Sequence, residues 1–225
     1  MISSVIFYDW PYSPFCMKVR AILRYKKVDF TAVNPLGRMG EIRRGKVGKV
    51  PALALEGTLI VDSTDIAYAL EDRFPEPSII PAEPRRRGLC HALEDWADES
   101  LYFAGLYYRW FDPDGLKPVA DAFGTSIRGR IAYRFYLQRI LGQLRGQGTS
   151  RKPVGHVRRD LARQLDAVEV LVSESDFLLG ERPFLCDFAL WGQLTYLRRT
   201  PVGSAEMAGR SATGAYLARI EAILA

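Results

Sequence analysis

A change of pattern about a third of the way along the chain constrains the fold more than any other feature. Before residue 75, short β-favouring runs alternate with helical periodicities, whereas after residue 89 strand signals become scarce and helical stripes dominate. Pro75, Pro77, Pro81 and Pro84 crowd the space between, where neither a helix nor a strand persists. The pattern gives a small mixed α/β domain over residues 1–78, a linker over 79–88 and an all-helical domain over 89–225.

In the first part, Val5-Ile6-Phe7-Tyr8 is an apolar run ended by Asp9-Trp10-Pro11, a buried strand and a turn. Ser13 as N-cap and Pro14 at the first helical position start a helix that carries Phe15, Val19, Ile22 and Leu23 at helical spacing. A second strand is expected over 28–33 and a short helix over 39–44. Runs 51–55 and 58–61 flank Glu56-Gly57, the signature of a hairpin, and Ser63 is expected to cap a helix bearing Ile66, Ala67, Leu70 and Phe74. Further on, Leu93, Trp96, Ala97, Phe103, Ala104, Tyr107 and Phe111 form one long helical stripe, and helices are expected over 132–144, 157–173, 187–198 and 212–224.

The formal charge of +5 suits nucleic acid, a membrane surface or a small acidic ligand. The basic clusters at Arg85-Arg86-Arg87 and between Arg151 and Arg159 read as solvated helix faces, so neither nucleic acid nor membrane is expected as a partner. Cys16, Cys90 and Cys186 form no CxxC pair and no even framework, which argues for a reducing compartment. The start, Met1-Ile2-Ser3-Ser4-Val5, has no signal-peptide pattern, and no run reaches the length of a membrane span, so a cytoplasmic protein is expected.

Three places in the first domain carry chemistry. At Tyr12-Ser13-Pro14-Phe15-Cys16 a helix N-terminus presents unpaired N–H groups and the positive end of its dipole, which stabilise a thiolate or anion beside Ser13. Read alone, Ser13 is an N-cap and Cys16 an inert core thiol. Val50-Pro51 precedes a hairpin strand, where a proline needs a reason; a cis bond there leaves the main chain of Val50 for an extended peptide ligand. At Asp62-Ser63-Thr64-Asp65 a ligand carboxylate finds the Ser63 hydroxyl and first-turn amides while Asp62 holds an ammonium, the two charges of an amino-acid head group; capping is the plainer alternative.

Taken together, Ser13-Pro14-Phe15-Cys16-Met17-Lys18-Val19-Arg20, Gly48-Lys49-Val50-Pro51-Ala52-Leu53 and Asp62-Ser63-Thr64-Asp65-Ile66 resemble the glutathione S-transferase superfamily in order and spacing. Phe177-Leu178-Leu179-Gly180-Glu181-Arg182-Pro183-Phe184-Leu185-Cys186-Asp187 is similar to that family's helical-domain folding motif, with Asp187 at its buried aspartate. Phe184 replaces the usual Ser or Thr, so the helix start there depends on Asp187 and packing.

The resemblance implies a thioredoxin-like domain followed by an all-α domain, glutathione as co-substrate, no metal, and a homodimer. It implies that Ser13 is catalytic, that Val50 and Pro51 receive the cysteinyl backbone, and that Asp62 and Ser63 bind the γ-glutamyl group, with Arg44 or Lys49 meeting the glycyl carboxylate. Cys16 is the alternative catalytic group, because it keeps the resolving position of a glutaredoxin-type Cys-Pro-Phe-Cys motif. Candidates for an apolar substrate wall are Tyr12, Tyr102, Leu106, Tyr107, Tyr108 and Trp110. The expected function is a detoxifying transferase that sends the glutathione thiolate to a small, largely apolar electrophile. The alternatives are a thiol reductase or lyase using Cys16, and a non-catalytic binding module of the same fold.

Overall fold

The computed structural model describes residues 5–35, 38–43, 48–116 and 123–225. Arg44 lies outside them.

Strand β1 (Val5–Tyr8) leads through a tight turn into helix α1 (Pro14–Tyr25), followed by β2 (Thr31–Val33), a short α2 (Met39–Arg43), the hairpin β3 (Ala52–Leu55) and β4 (Thr58–Val61), and α3 (Ser63–Arg73). The four strands form one sheet in the order β2-β1-β3-β4, with β1 parallel to β2 and antiparallel to β3. Strand periodicity sorts the two faces: Val5, Phe7, Leu53 and Leu55 join the main core, while Tyr8 and Ala52 pack against Ile42 of α2. Glu56 at φ 50° and Gly57 at φ 84° make the hairpin turn, a pair of positive angles that fits the sheet's twist.

The second strand begins at Thr31 rather than Val28, because the chain before it is used to stop α1. Lys27 turns at φ 54° and the Val28 N–H donates to the Leu23 carbonyl. The cap of α3 is likewise Asp62, not Ser63: the Asp62 carboxylate accepts from the Thr64 N–H at 2.8 Å, so Ser63 becomes the first helical residue with its side chain turned inward.

The rest is helical among the described residues. Helix α4 (Pro84–Asp95) starts five residues before Leu89, because Pro84 suits a first helical position and Glu83 accepts from the Arg85 and Arg86 N–H groups. A π-helical turn, Trp96–Leu101, joins it to α5 (Tyr102–Trp110), and α6 (Ile127–Gln147), α7 (Val154–Ser173), α8 (Leu185–Arg198), α9 (Pro201–Met207) and α10 (Ser211–Leu224) follow.

Helix α8 is the axis of this half, buried at nearly every position. Its start is held as the sequence implies: the Asp187 carboxylate accepts from the N–H groups of Phe184 and Leu178 at 2.9 Å each and from the Tyr216 hydroxyl at 3.0 Å. Gly192 lets α8 approach α1, since a Cβ there would lie 2.7 Å from the Pro14 carbonyl oxygen. The helical half thus packs directly beneath the first turn of α1.

Candidate active site at the tip of helix α1

The loop before α1 is fixed from three sides. Asp9 forms a two-pronged ion pair with Arg20 at 2.6 and 2.8 Å, its N–H donates to the Val33 carbonyl, and Arg199 at the end of α8 donates to the Pro11 carbonyl at 3.2 Å. The Ser13 N–H closes the turn on the Trp10 carbonyl at 2.9 Å. These bonds fix the backbone that presents Ser13 at the start of α1.

Ser13 is the N-cap, and its Oγ accepts from the Cys16 N–H at 3.3 Å. That bond uses an oxygen lone pair and leaves the hydroxyl hydrogen for another acceptor. Pro14 has no N–H, and the Cys16 and Met17 N–H groups are spent on Ser13, so among the described residues Phe15 supplies the first-turn N–H with no acceptor. The Ser13 hydroxyl and the Phe15 N–H are thus two unspent donors at the positive end of the helix.

Cys16 is turned the other way. It is fully buried, its sulfur accepts from the Trp10 N–H at 3.4 Å, and burial pushes its thiol up to about 12. It is protonated at neutral pH.

Val50-Pro51 is cis, and among the described residues no main-chain hydrogen bond uses Val50. Lys49 is exposed beside it. Asp62 stands at φ 89°, ψ 133°, a conformation that non-glycine residues rarely hold and that recurs at ligand clamps.

A buried charge network behind Ser63 has no counterpart among the sequence expectations. Lys18, one turn into α1, is completely buried, and its ammonium donates to the Ser63 hydroxyl at 3.4 Å, Thr64 at 3.2 Å, Asp98 at 2.7 Å and Glu94. Gln193 of α8 donates to the second Asp98 oxygen at 3.0 Å. Burial alone would lower the Lys18 pKa, but Asp98 and Glu94 outweigh it and hold the ammonium charged. Burial raises the Asp98 carboxyl, with Glu94 adding to the rise, against the pull of Lys18. One lysine thus ties α1 and α3 of the sheet half to α4, the π turn and α8. Glu99 on the same turn is raised chiefly by burial and then by Asp95, Asp98 and Asp62, with Lys49 opposing.

Of the proposed wall, Tyr102 packs on the first turn of α1, its ring 4.7 Å from that of Phe15. Leu106, Tyr107, Tyr108 and Trp110 are packed into the helical core at 2–7% exposure, and the Trp110 indole donates to the Tyr196 hydroxyl at 3.0 Å. Tyr12 stands exposed against Trp10. Tyr136 of α6, absent from the expected wall, closes this aromatic group, its ring 5.2 Å from Trp110. Surface depressions of about 800 and 290 Å³ lie in the helical half, and neither is lined by Ser13, Val50, Asp62 or Ser63.

Residues 7–78 match the family described as glutathione S-transferase, N-terminal domain. The sheet domain is that of the glutathione S-transferase family. It is 24% identical to the isoprene-epoxide–glutathione S-transferase of Rhodococcus sp., over 84% of this chain and 82% of the relative. With the maleylacetoacetate isomerase of Pseudomonas aeruginosa it shares 28% identity over 83% of this chain and 78% of that one. The crystal structure of the β-etherase LigF from Sphingobium sp. superposes with a TM-score of 0.73 at 21% identity, covering 99% of this chain and 96% of that one. The fold, a small mixed sheet domain followed by helices, is thus the glutathione S-transferase fold.

Proposed function

We propose that the protein is a glutathione-dependent transferase in which Ser13 and the tip of α1 ionise the glutathione thiol for attack on an electrophilic carbon. The observation that carries this reading is the pair of unspent donors, the Ser13 hydroxyl and the Phe15 N–H, at a helix N-terminus. Such a setting brings a thiol from about 8.5 into the ~3.5–7.5 range, so the thiolate predominates at neutral pH.

The remaining groups suit the rest of the tripeptide. Val50 offers an unused strand-like main chain to the cysteinyl unit. The Asp62 carboxylate suits the γ-glutamyl ammonium, and the Ser63 hydroxyl, polarised by accepting from Lys18, donates to its carboxylate. Lys49 suits the glycyl carboxylate. In the reaction the thiolate forms a C–S bond as the leaving group departs with its electron pair, or as an epoxide C–O bond opens and its oxygen takes a proton from water. The Phe15–Tyr102 pair gives an apolar substrate a first surface. The relative named for an isoprene epoxide supports chemistry at carbon. Cys16, buried and protonated, supports no thiol-reductase role. The reading carries with it a cytoplasmic homodimer, and the three free, buried thiols suit a reducing compartment.

The test pairs calorimetry with turnover. Ser13→Ala is expected to bind glutathione within several-fold of wild type while turnover of a model epoxide or aryl halide falls by roughly 10²-fold or more. Undiminished turnover removes Ser13 from the mechanism, and no heat with millimolar glutathione removes the ligand.

A further inference from the structure

Helix α6 combines two properties that the glutathione chemistry does not use. Its 21 residues include five arginines and no acidic residue. It also carries three of the most solvent-exposed large apolar side chains among the described residues: Phe135 at 78%, Ile127 at 69% and Ile131 at 65%. Spaced four apart, these three fall within about 80° of helical arc and form a ridge. Arg128 and Arg139 project on one side of the ridge and Arg130 and Arg134 on the other, all exposed.

The neighbouring basic stretch differs. On and just before α7, Lys152 and Arg163 pair with Asp160, and Arg158 pairs with Glu206, whereas none of the five α6 arginines pairs with a described carboxylate. The basic clusters that read as solvated faces in the sequence are Arg85-Arg86-Arg87 and the stretch from Arg151 to Arg159, and that reading does not extend to α6. The segment from Ile127 to Arg163 holds ten of the chain's 31 basic residues and one of its 26 acidic ones, which concentrates the positive charge on this side.

We propose that the exposed face of α6 docks on an anionic lipid surface, with Ile127, Ile131 and Phe135 entering the headgroup boundary and the flanking arginines meeting lipid phosphates. A convex apolar ridge with cations along both sides matches a flat interface that is apolar below and negative above. A nucleic acid would take the arginines but would set the ridge against phosphates, and a protein partner would need an acidic-rimmed groove to receive it. No described helix is long and apolar enough to cross a membrane, so the contact is peripheral. The inference is independent of the glutathione reading.

The full chain is floated with vesicles of phosphatidylcholine alone or with phosphatidylglycerol, at low and high salt. Binding is expected only to the anionic vesicles and is expected to fall steeply with salt. Ile131→Ser/Phe135→Ser is expected to weaken it by at least about tenfold, and Arg128→Glu/Arg130→Glu/Arg134→Glu to abolish it, with the circular dichroism of both variants unchanged. As a check that needs no disruptive change, Phe135→Trp should show a blue shift of its added emission when anionic vesicles are supplied. Equal binding to both vesicle types, retained binding by the serine variant, no blue shift in Phe135→Trp beyond that of wild type, or tighter binding to duplex DNA than to vesicles each overturns the proposal.

Discussion

Ser13 at the tip of α1 and Lys18 five positions later treat their polar groups in opposite ways. At Ser13 the protein satisfies what fixes the geometry and leaves two donors unspent. At Lys18 it supplies acceptors from three elements and surrounds the ammonium completely. Unpaired donors at the tip of α1 thus stand on a frame whose own charges are paired inside. The frame also crosses the boundary between the halves, so the position of Ser63 against Ser13 depends on residues far away in the chain.

The largest effect should come from breaking the frame. Lys18→Met leaves Glu94 and Asp98 buried without their cation and is expected to cost about 3–5 kcal/mol of stability, read as a lower denaturation midpoint. A midpoint near that of wild type would mean that the paired interior is dispensable, and the contrast with Ser13 would fail.

Asp187 buries a carboxylate without a cation, relying on N–H groups and Tyr216. Asp187→Ala strands those donors and is expected to cost about 2–4 kcal/mol. Burial pushes the Asp187 carboxyl from 3.8 to about 6 in the folded state. Because the native state then holds the proton more tightly than the unfolded one, this group's contribution is fully present below about pH 4, declines as pH rises through about 6, and amounts to about 3 kcal/mol. Denaturation of wild type and Asp187→Asn at about pH 4.5 and about pH 6.5 should show a smaller pH response in the variant.

Two smaller changes act on the site itself. Asp62→Asn keeps an acceptor for the Thr64 N–H but removes a charge, so glutathione affinity should fall by about tenfold with little change in melting temperature. Cys16→Ala should cost about 1 kcal/mol and leave transferase turnover near that of wild type, because a thiol held at about 12 contributes no thiolate. Loss of turnover in Cys16→Ala would move the chemistry from Ser13 to the thiol.

The site's outer parts are legible in the sequence because each is a local arrangement: a serine before a proline at a helix start, a Val-Pro before a hairpin, an acidic-serine pair between strand and helix. The frame is not, since Lys18 meets Glu94 and Asp98 from 76 and 80 residues away. One signal is present: Lys18 lies four residues before Ile22, on the apolar stripe of α1, where a lysine needs a buried partner. The wall is over-read for a similar reason, because helical spacing marks a buried face without saying whether core or ligand covers it. In Leu106, Tyr107 and Tyr108 it is core. The single long stripe from Leu93 to Phe111 also hides the π turn, whose backbone change turns Asp98 inward.

The proton on the glutathione sulfur decides whether Ser13 does what its geometry suits. Ultraviolet difference absorbance of the thiolate in the binary complex, followed from acid to neutral pH, measures it directly. Bound glutathione is expected to ionise at least about a unit below its free value of about 8.5 in wild type and to return toward that value in Ser13→Ala; the same ionisation in both proteins would contradict the assignment.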